Sequence, residues 1–459
     1  MKSNGFKIQF LGAAGTVTGS KYLLEIHGKK ILIDCGLFQG EKALRLLNWD
    51  VPPYDPKKID FVLLTHGHLD HTGYLPRLVK LGYRGDIFGT YPTLDVAKII
   101  LKDTARIQER EARRANKEGY SKHSPALAFY TTKDVNNTIS LFKGMPQSQW
   151  ITMFEGFKVR FQYNGHIIGA TYIELNINGK RVVFSGDIGR TDDLLLFPPR
   201  RPKKADILFM ESTYGGKFHQ EEREAIPEME KITNETLKRG GSLFIPSFSV
   251  ERAQLLMYIF WKLRKENKIP KVQMILDSPE GASILKLFKN NREWHKLSKQ
   301  DCKEMCANFH IVKSYKETIK LRDNNIPKIV IAGSGMLSGG RILNYLETEA
   351  TKSKNTVLFV GYQAKGTRGR KLLEGDHTLK VYGKQVPFHM QVEEVSGLSA
   401  HADDEELMHW LGKIENKPQK VFLIHGEVEA LTTLKTEIEK RFSWSCAIPE
   451  LYSKEEIVF

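Results

Sequence analysis

Short apolar runs broken at glycine-rich corners open the chain. Residues 7–11, 22–26 and 31–33 have the composition of β-strands, with Gly12-Ala13-Ala14-Gly15-Thr16-Val17-Thr18-Gly19 between the first two and Asp34 closing the third. Closely spaced strands punctuated in this way predict one sheet of a sandwich. Phe61-Val62-Leu63-Leu64 is a further buried-strand pattern, and Leu75, Leu78 and Val79 then recur at helical spacing until Gly82. Residues 94–117 are charged and helical in pattern, and Arg106, Arg110, Arg113 and Arg114 fit an ordinary solvated face better than a basic site. A second strand-rich block spans 157–189, with alternation at Lys158-Val159-Arg160-Phe161 and a turn at Asn178-Gly179; Ile207-Leu208-Phe209-Met210 follows it.

Beyond residue 215 the pattern changes. Strand-then-helix units recur, 242–246 before 250–263 and 328–332 before 340–346. Such alternation predicts a second α/β domain on a parallel sheet, running to about residue 380. Residues 392–396 and Val421-Phe422-Leu423-Ile424 then return to isolated strand character. A chain of 459 residues has room for two such cores.

Composition narrows the class without fixing it. Hydrophobic residues at 41% and charged residues at 27% describe a soluble globular protein. No apolar run approaches the roughly 20 residues that span a bilayer, and Met1-Lys2-Ser3-Asn4-Gly5 lacks a signal-peptide core. The expectation is a cytoplasmic protein with no membrane partner. Cys35, Cys302, Cys306 and Cys446 are too few and too scattered for a disulfide framework, so reduced thiols are expected. Lys plus Arg number 69 against 54 Asp plus Glu, a net charge of +15 that favours a polyanionic partner, nucleic acid first. A generally lysine-rich proteome would give the same excess, so the charge only supports that reading.

The chemistry concentrates at Thr65-His66-Gly67-His68-Leu69-Asp70-His71, where the strand pattern gives way to the helical one. Three imidazoles and a carboxylate within one turn suit two metal ions better than one, and such a site activates water for hydrolysis. His166 follows Asn164-Gly165 and Asp187 follows Ser185-Gly186, both at glycine-lined corners where backbone can approach a metal closely.

His66-x-His68-x-Asp70-His71, His166 and Asp187 resemble the successive motifs of the metallo-β-lactamase fold. Glu211 in Glu-Ser-Thr-Tyr-Gly, His401 in Ser-Ala-His-Ala-Asp and His425 in Ile-His-Gly-Glu resemble the further motifs of its β-CASP branch. That branch comprises nucleases, among them the pre-mRNA 3′-end-processing endonuclease subunit and short bacterial and archaeal relatives. The resemblance implies an αββα sandwich interrupted by an inserted α/β β-CASP domain, with residues 1–214 as its first part, 215–380 as the insertion and 381–459 as the return. It implies two zinc ions, one on His66, His68 and His166, the other on Asp70, His71 and His425, with Asp187 between them and Asp34 orienting a ligand histidine from behind. Asp187 and Asp70 then serve the hydroxide held by the two zincs, His401 is the general acid, and Glu211 positions it. Ligand type leaves manganese as an alternative metal.

The middle domain offers anion contacts. Gly333-Ser334-Gly335 to Arg341 lies between a strand and a helix, where backbone N–H groups can meet a phosphate. Gly361-Tyr362-Gln363-Ala364-Lys365-Gly366-Thr367-Arg368-Gly369-Arg370 adds cations, and Ser247 with Arg252 adds a hydroxyl-rich strand end. The resemblance assigns these loops to a nucleic-acid backbone. Histidine at 425, as in the RNA-processing members, implies single-stranded RNA as substrate. The few residues after it leave no room for the C-terminal domain of RNase J-type members, which favours endonucleolytic cutting. A 5′ exoribonuclease and a small-molecule hydrolase of thioesterase or lactonase type are the alternatives. The strand-like end Glu456-Ile457-Val458-Phe459 suggests a homodimer edge, and His27, His123, His219 and His377 have no motif context.

Overall fold

The apolar runs pair into two sheets with a single apolar layer between them. The computed structural model describes residues 5–119, 121–219, 222–361, 363 and 366–459. Its contacts divide the chain into two compact units, the first formed by residues up to 191, 198–218 and 401–459, the second by 192–197 and 219–400.

In the first unit one seven-stranded sheet has the order Lys454–Val458, Gly5–Phe10, Tyr22–Ile26, Lys29–Ile33, Phe61–Leu63, Asp86–Thr90, Phe142–Met145. The other runs Cys446–Ala447, Lys420–Ile424, Ile207–Glu211, Lys180–Phe184, Thr171–Ile177, Phe157–Tyr163, Ile151–Phe154. Alternation along these strands sends one row of side chains inward, where Phe10, Tyr22, Phe184, Phe209 and Phe422 fill the space between the sheets. The Phe184, Phe209 and Phe422 rings stack at centroid distances of 4.2 and 4.9 Å.

Helices cover both outer faces. Leu75–Lys80, Tyr91–Glu118 and Thr132–Ile139 pack on the first sheet, Asp404–Leu411 and Val428–Phe442 on the second, which completes the αββα layering. The long helix Tyr91–Glu118 buries Val96, Ala97, Leu101 and Ala105 and leaves the four arginines of its polar face in solvent. The C-terminal strand Lys454–Val458 is not a free end. It pairs antiparallel with Gly5–Phe10 and forms the edge strand of the first sheet.

The second unit is a six-stranded parallel sheet in the order His310–Ile311, Gln273–Asp277, Lys328–Ala332, Leu243–Pro246, Thr356–Phe359, Gln391–Glu394. Parallel strands need crossover helices, and Arg252–Lys265, Pro279–Asn290 and Ile342–Glu349 are among those that supply them. Gln391–Glu394 pairs with Thr356–Phe359, so the chain stays in this unit past residue 381 and rejoins the first at His401. All four cysteines are free thiols. Among the described residues, no helix is long and apolar enough to cross a membrane.

Candidate metal centre

Every histidine and carboxylate that the motifs nominate for metal binding lies in the first unit. The strand Phe61–Leu63 delivers Thr65 and His66, and the one-turn helix Leu69–Thr72 turns Asp70 and His71 back toward them. His166 and Asp187 stand on the corners after Phe157–Tyr163 and Lys180–Phe184, and His425 directly follows Lys420–Ile424. Asp34 and His425 both hold left-handed backbone, with φ of 55° and 51°. Such conformations collect at functional sites and must be held by their surroundings. Gly186 also has φ +55°, and a Cβ there would come within 2.8 Å of the Thr65 side chain.

Two sets of donor atoms result, each drawn together within 4.8 Å: His66, His68, His166 and Asp187, and Asp70, His71, Asp187 and His425. In the first, Nε2 of His66 and Nε2 of His166 each lie 3.1 Å from Nδ1 of His68. Asp187 Oδ2 is 3.5 and 3.6 Å from the same two Nε2 atoms. In the second, His71 Nε2 and His425 Nε2 are 3.2 Å apart, and Asp70 Oδ2 is 3.4 Å from the latter. Asp187 Oδ1 faces this set, 3.3 Å from His71 Nε2. One carboxylate thus presents a different oxygen to each set.

The donor chemistry fits a divalent cation. Asp187 Oδ1 is buried without a hydrogen-bond partner, a costly arrangement unless a cation faces it. Burial takes His66 well below its ordinary 6.5 and His68 down to about 4, which keeps their lone pairs open. Burial would also lower His71, yet Asp187 and Asp34 outweigh it and hold that ring well above its ordinary value. The pocket around His71 therefore demands positive charge. Asp187, buried among His425, His71 and His66, stays ionised far below its usual range, since those rings overcome the desolvation that would raise it.

Asp34 sits behind the second set. Its Oδ2 accepts from His71 Nδ1 at 2.7 Å and from the Thr65 hydroxyl at 2.8 Å, and its Oδ1 accepts from the Thr65 N–H at 2.8 Å. Fixing the proton on Nδ1 leaves Nε2 of His71 as a donor of electrons toward the cluster.

His401 lies over the first set, its ring 4.4 Å from that of His166. Its Nδ1 meets Glu211 Oε2 at 3.2 Å. Burial alone would lower this imidazole, but the Glu211 carboxylate more than compensates and lifts it to about 9. Glu211 is itself fixed by the Thr213 hydroxyl at 2.5 Å and by the Ile188 N–H.

Thr65 and Thr213 escaped the reading of the sequence, although one adjoins the histidine motif and the other lies inside Glu-Ser-Thr-Tyr-Gly. Asn164 was also missed. Its Nδ2 donates to the carbonyls of Ser185 and Asp187 at 2.7 and 2.5 Å and ties the His166 corner to the Asp187 corner. The available signal was a short polar residue next to a motif glycine.

The anion-contact candidates belong to the second unit, at the C-terminal ends of its parallel strands, the usual binding edge of such sheets. Ser247 follows Leu243–Pro246, and Gly333, Ser334 and Gly335 follow Lys328–Ala332. The arginines among them have partners inside the unit. Arg341 donates to the Thr318 hydroxyl at 2.8 Å and lies over the Tyr315 ring, Arg368 donates to the Leu337 carbonyl at 2.8 Å, Arg370 to Glu374 at 2.7 Å, and Arg252 to the Val360 carbonyl. Tyr362, Ala364 and Lys365 of the same run fall outside the described residues.

Comparison with known proteins agrees with this architecture. Family models match for the metallo-β-lactamase superfamily at residues 14–82, the Beta-Casp domain at 253–372 and the Zn-dependent metallo-hydrolase RNA specificity domain at 385–449. The chain is 33% identical over 435 residues to Ribonuclease TTHA0252 of Thermus thermophilus, covering 92% of this chain and 94% of that one. It is 30% identical to Integrator complex subunit 11 of Gallus gallus, covering 96% and 72%. To the transcription termination factor FttA of Methanocaldococcus jannaschii it is 29% identical, covering 96% and 70%. The crystal structure of a protein of unknown function from Enterococcus faecalis V583 shares the fold, with a TM-score of 0.56 at 15% identity over 99% of this chain and 100% of that one. By its αββα layering, its inserted parallel sheet and its near-complete alignment with such relatives, the chain belongs to the β-CASP family of metallo-β-lactamase-fold nucleases.

Proposed function

We propose that this protein is a zinc-dependent ribonuclease that cuts single-stranded RNA internally. His66, His68 and His166 would hold one zinc ion, Asp70, His71 and His425 a second, and Asp187 would serve both sets. The observation that carries the reading is Asp187, whose two oxygens face two separate sets of imidazoles. Support for RNA comes from the RNA specificity domain model, from the ribonuclease relative and from the net charge of +15.

Zinc, when bound there, would supply a Lewis acid for a phosphoryl oxygen and would lower the pKa of water toward neutrality. The protein's own groups do the rest. Asp34 keeps His71 in the tautomer whose Nε2 faces inward, and Asp187 keeps its charge between the two sets. When water oxygen bonds to phosphorus and the phosphorus–oxygen bond of the chain breaks, the leaving oxygen needs a proton. His401, oriented through Nδ1 by Glu211, gives it. In the second unit, Ser247 and the Gly333-Ser334-Gly335 backbone are the groups for the strand's phosphates, with Arg252, Arg341, Arg368 and Arg370 adding positive field. Manganese would suit the same oxygen and nitrogen donors. The outer edge of the strand Lys454–Val458 is where two copies would pair as a homodimer, which sedimentation decides.

The test is cleavage of 5′-labelled single-stranded RNA, with and without a 5′-monophosphate, by protein of measured metal content, resolved on a denaturing gel beside Asp187→Ala. Internal cuts by zinc-loaded protein, absent in the variant, are expected. Release of mononucleotides that depends on the 5′ end would make it an exonuclease. Intact RNA with full zinc would leave a small-molecule hydrolase.

A further inference from the structure

Four cations in five positions lie in the first unit outside every motif, in Pro198-Pro199-Arg200-Arg201-Pro202-Lys203-Lys204. The segment is held in place rather than loose. Arg200 N–H donates to the Tyr163 carbonyl at 3.0 Å, Glu415 N–H to the Lys203 carbonyl at 2.9 Å, and Trp410 Nε1 to the Arg200 carbonyl at 2.9 Å. Three prolines lower the entropy lost on ordering a partner here. Among the described residues, the side-chain partners of these cations are neutral: Ser148 and Gln162 for Arg200, and His409 for Arg201. Lys203 and Lys204 stand in solvent, and Arg201 is aimed by a bond from its Nη1 to His409 Nε2 at 2.7 Å.

Beside the segment runs a cleft of about 290 Å³, with Pro198, Pro199 and Arg201 on one side and Glu406, His409 and Trp410 on the other. Its one carboxylate is already spent: Glu406 Oε1 accepts from the Thr191 N–H and hydroxyl at 2.6 Å, and Oε2 from the Asp403 N–H at 3.1 Å. The cleft's place is informative. Thr191, at its end, lies four residues beyond Asp187, and the helix Asp404–Leu411 that forms its far wall starts three residues after His401. Glu406, His409 and Trp410 follow His401 by five, eight and nine residues, so the cleft is built on the same stretch of chain as the group that protonates the leaving oxygen.

The surface continues through Arg200, which reaches Ser148 and Gln162, to Trp150, whose ring carries the guanidinium of Arg160 at 4.4 Å and that of Arg181 at 4.3 Å. Neither tryptophan offers a platform for a base, because Trp150 is taken by arginines and Trp410 is 1% exposed. Cations without a stacking platform read phosphates, not sequence.

We infer that this cleft and its Pro-Arg-Lys segment form an exosite for the phosphodiester backbone of the RNA strand whose scissile bond lies at the metal centre. The inference rests on the ribonuclease reading. The exosite grips the strand outside the cut site, without base preference, and favours substrates long enough to reach both places.

The test compares Arg200→Gln/Arg201→Gln/Lys203→Gln/Lys204→Gln with the parent, both in an Asp187→Ala background, by anisotropy of fluorescein-labelled oligouridylate against salt. Each lost phosphate contact to a single strand removes about 0.7 from the slope of log K on log salt, so the slope should fall by about 2 to 3 and affinity by about 10- to 100-fold. With Asp187 restored, KM for a strand of about 30 nucleotides should rise while cutting of one of about 6 stays unchanged. Lys203→Glu/Lys204→Glu, confined to two side chains in solvent, should show about half the slope change, and it guards against misfolding of the fourfold variant. An unchanged slope in both variants overturns the exosite. So does equal displacement of the RNA by poly-L-glutamate through the same four cations, which would mark an acidic protein partner. A parent that binds RNA through these residues and cuts nothing would remove the ribonuclease reading alone, and one that cuts RNA with variant slopes unchanged would remove the exosite alone.

Discussion

Asp34→Asn should weaken zinc binding at the His71 set about 5- to 150-fold, and the reason lies in three hydrogen bonds. Asp34 is a pure acceptor, taking the Thr65 N–H and hydroxyl at 2.8 Å and His71 Nδ1 at 2.7 Å. An amide in its place has one oxygen for donors on two sides. If that oxygen keeps the Thr65 N–H, the amide NH2 faces His71 Nδ1, the ring proton moves to Nε2, and the nitrogen that faces Asp187 at 3.3 Å loses its lone pair. If the amide turns the other way, the tautomer survives but a buried backbone N–H meets a donor. Leaving such a group unmade costs about 1–3 kcal/mol, and at about 1.4 kcal/mol per tenfold this spans the range given. Losses of this size are usual for groups that orient a metal-ligating histidine, about 10- to 100-fold. Competition with a chromophoric chelator measures it, and of the two zincs proposed, the one on the His71 set should change while the other keeps its affinity. Zinc affinity within a factor of about three of the parent, at unchanged stoichiometry, would show that His71 is not held as a ligand through Asp34.

Three further outcomes follow from other parts of the first unit. His401→Ala should lower RNA cleavage by about 10²- to 10⁴-fold with zinc content intact by metal analysis; joint loss of zinc would make His401 a ligand instead. Gly186→Ala places a Cβ 2.8 Å from the Thr65 side chain at φ +55°, and the left-handed conformation alone costs about 1–2 kcal/mol, so thermal melting should come several degrees lower, at about 2–4 °C per kcal/mol. Lys21 is buried, with Nζ donating to the Gly36 carbonyl at 2.9 Å and lying 4.6 Å from the Phe38 and Tyr74 rings. Burial takes it from 10.5 to about 8, against a smaller upward pull from Cys35. The unfolded chain therefore binds the extra proton between pH 8 and 10.5, and stability should rise with pH there by up to about 1.4 kcal/mol per pH step. Urea denaturation of Lys21→Met at pH 8, 9 and 10 should lose that slope, and parallel curves for the two proteins would refute the assignment.

The parts of this protein that could be read from its sequence are those whose meaning is local. His66-x-His68-x-Asp70-His71 carries its chemistry in one turn, and the runs 61–64, 157–163 and 207–210 carry their strand character in their own side chains. What could not be read depends on partners elsewhere in the chain. Nothing in residues 454–458 says that they pair with Gly5–Phe10, since three charged residues followed by two apolar ones suit any edge. Nor does the run 391–394 say that it joins the parallel sheet beside Thr356–Phe359, a pairing the intervening hairpin Thr378–Val381/Lys384–Pro387 hides. The same limit governs charge. Arginines at 341 and 368 look like phosphate ligands in a one-dimensional reading, but the fold gives them Thr318, Tyr315 and the Leu337 carbonyl, whereas Lys203 and Lys204, outside every motif, stand in solvent with no carboxylate partner among the described residues. A cation's availability is decided by what the fold places beside it, so an electrostatic site is found only once the neighbours are known, while a metal site announces itself because its ligands must converge whatever surrounds them.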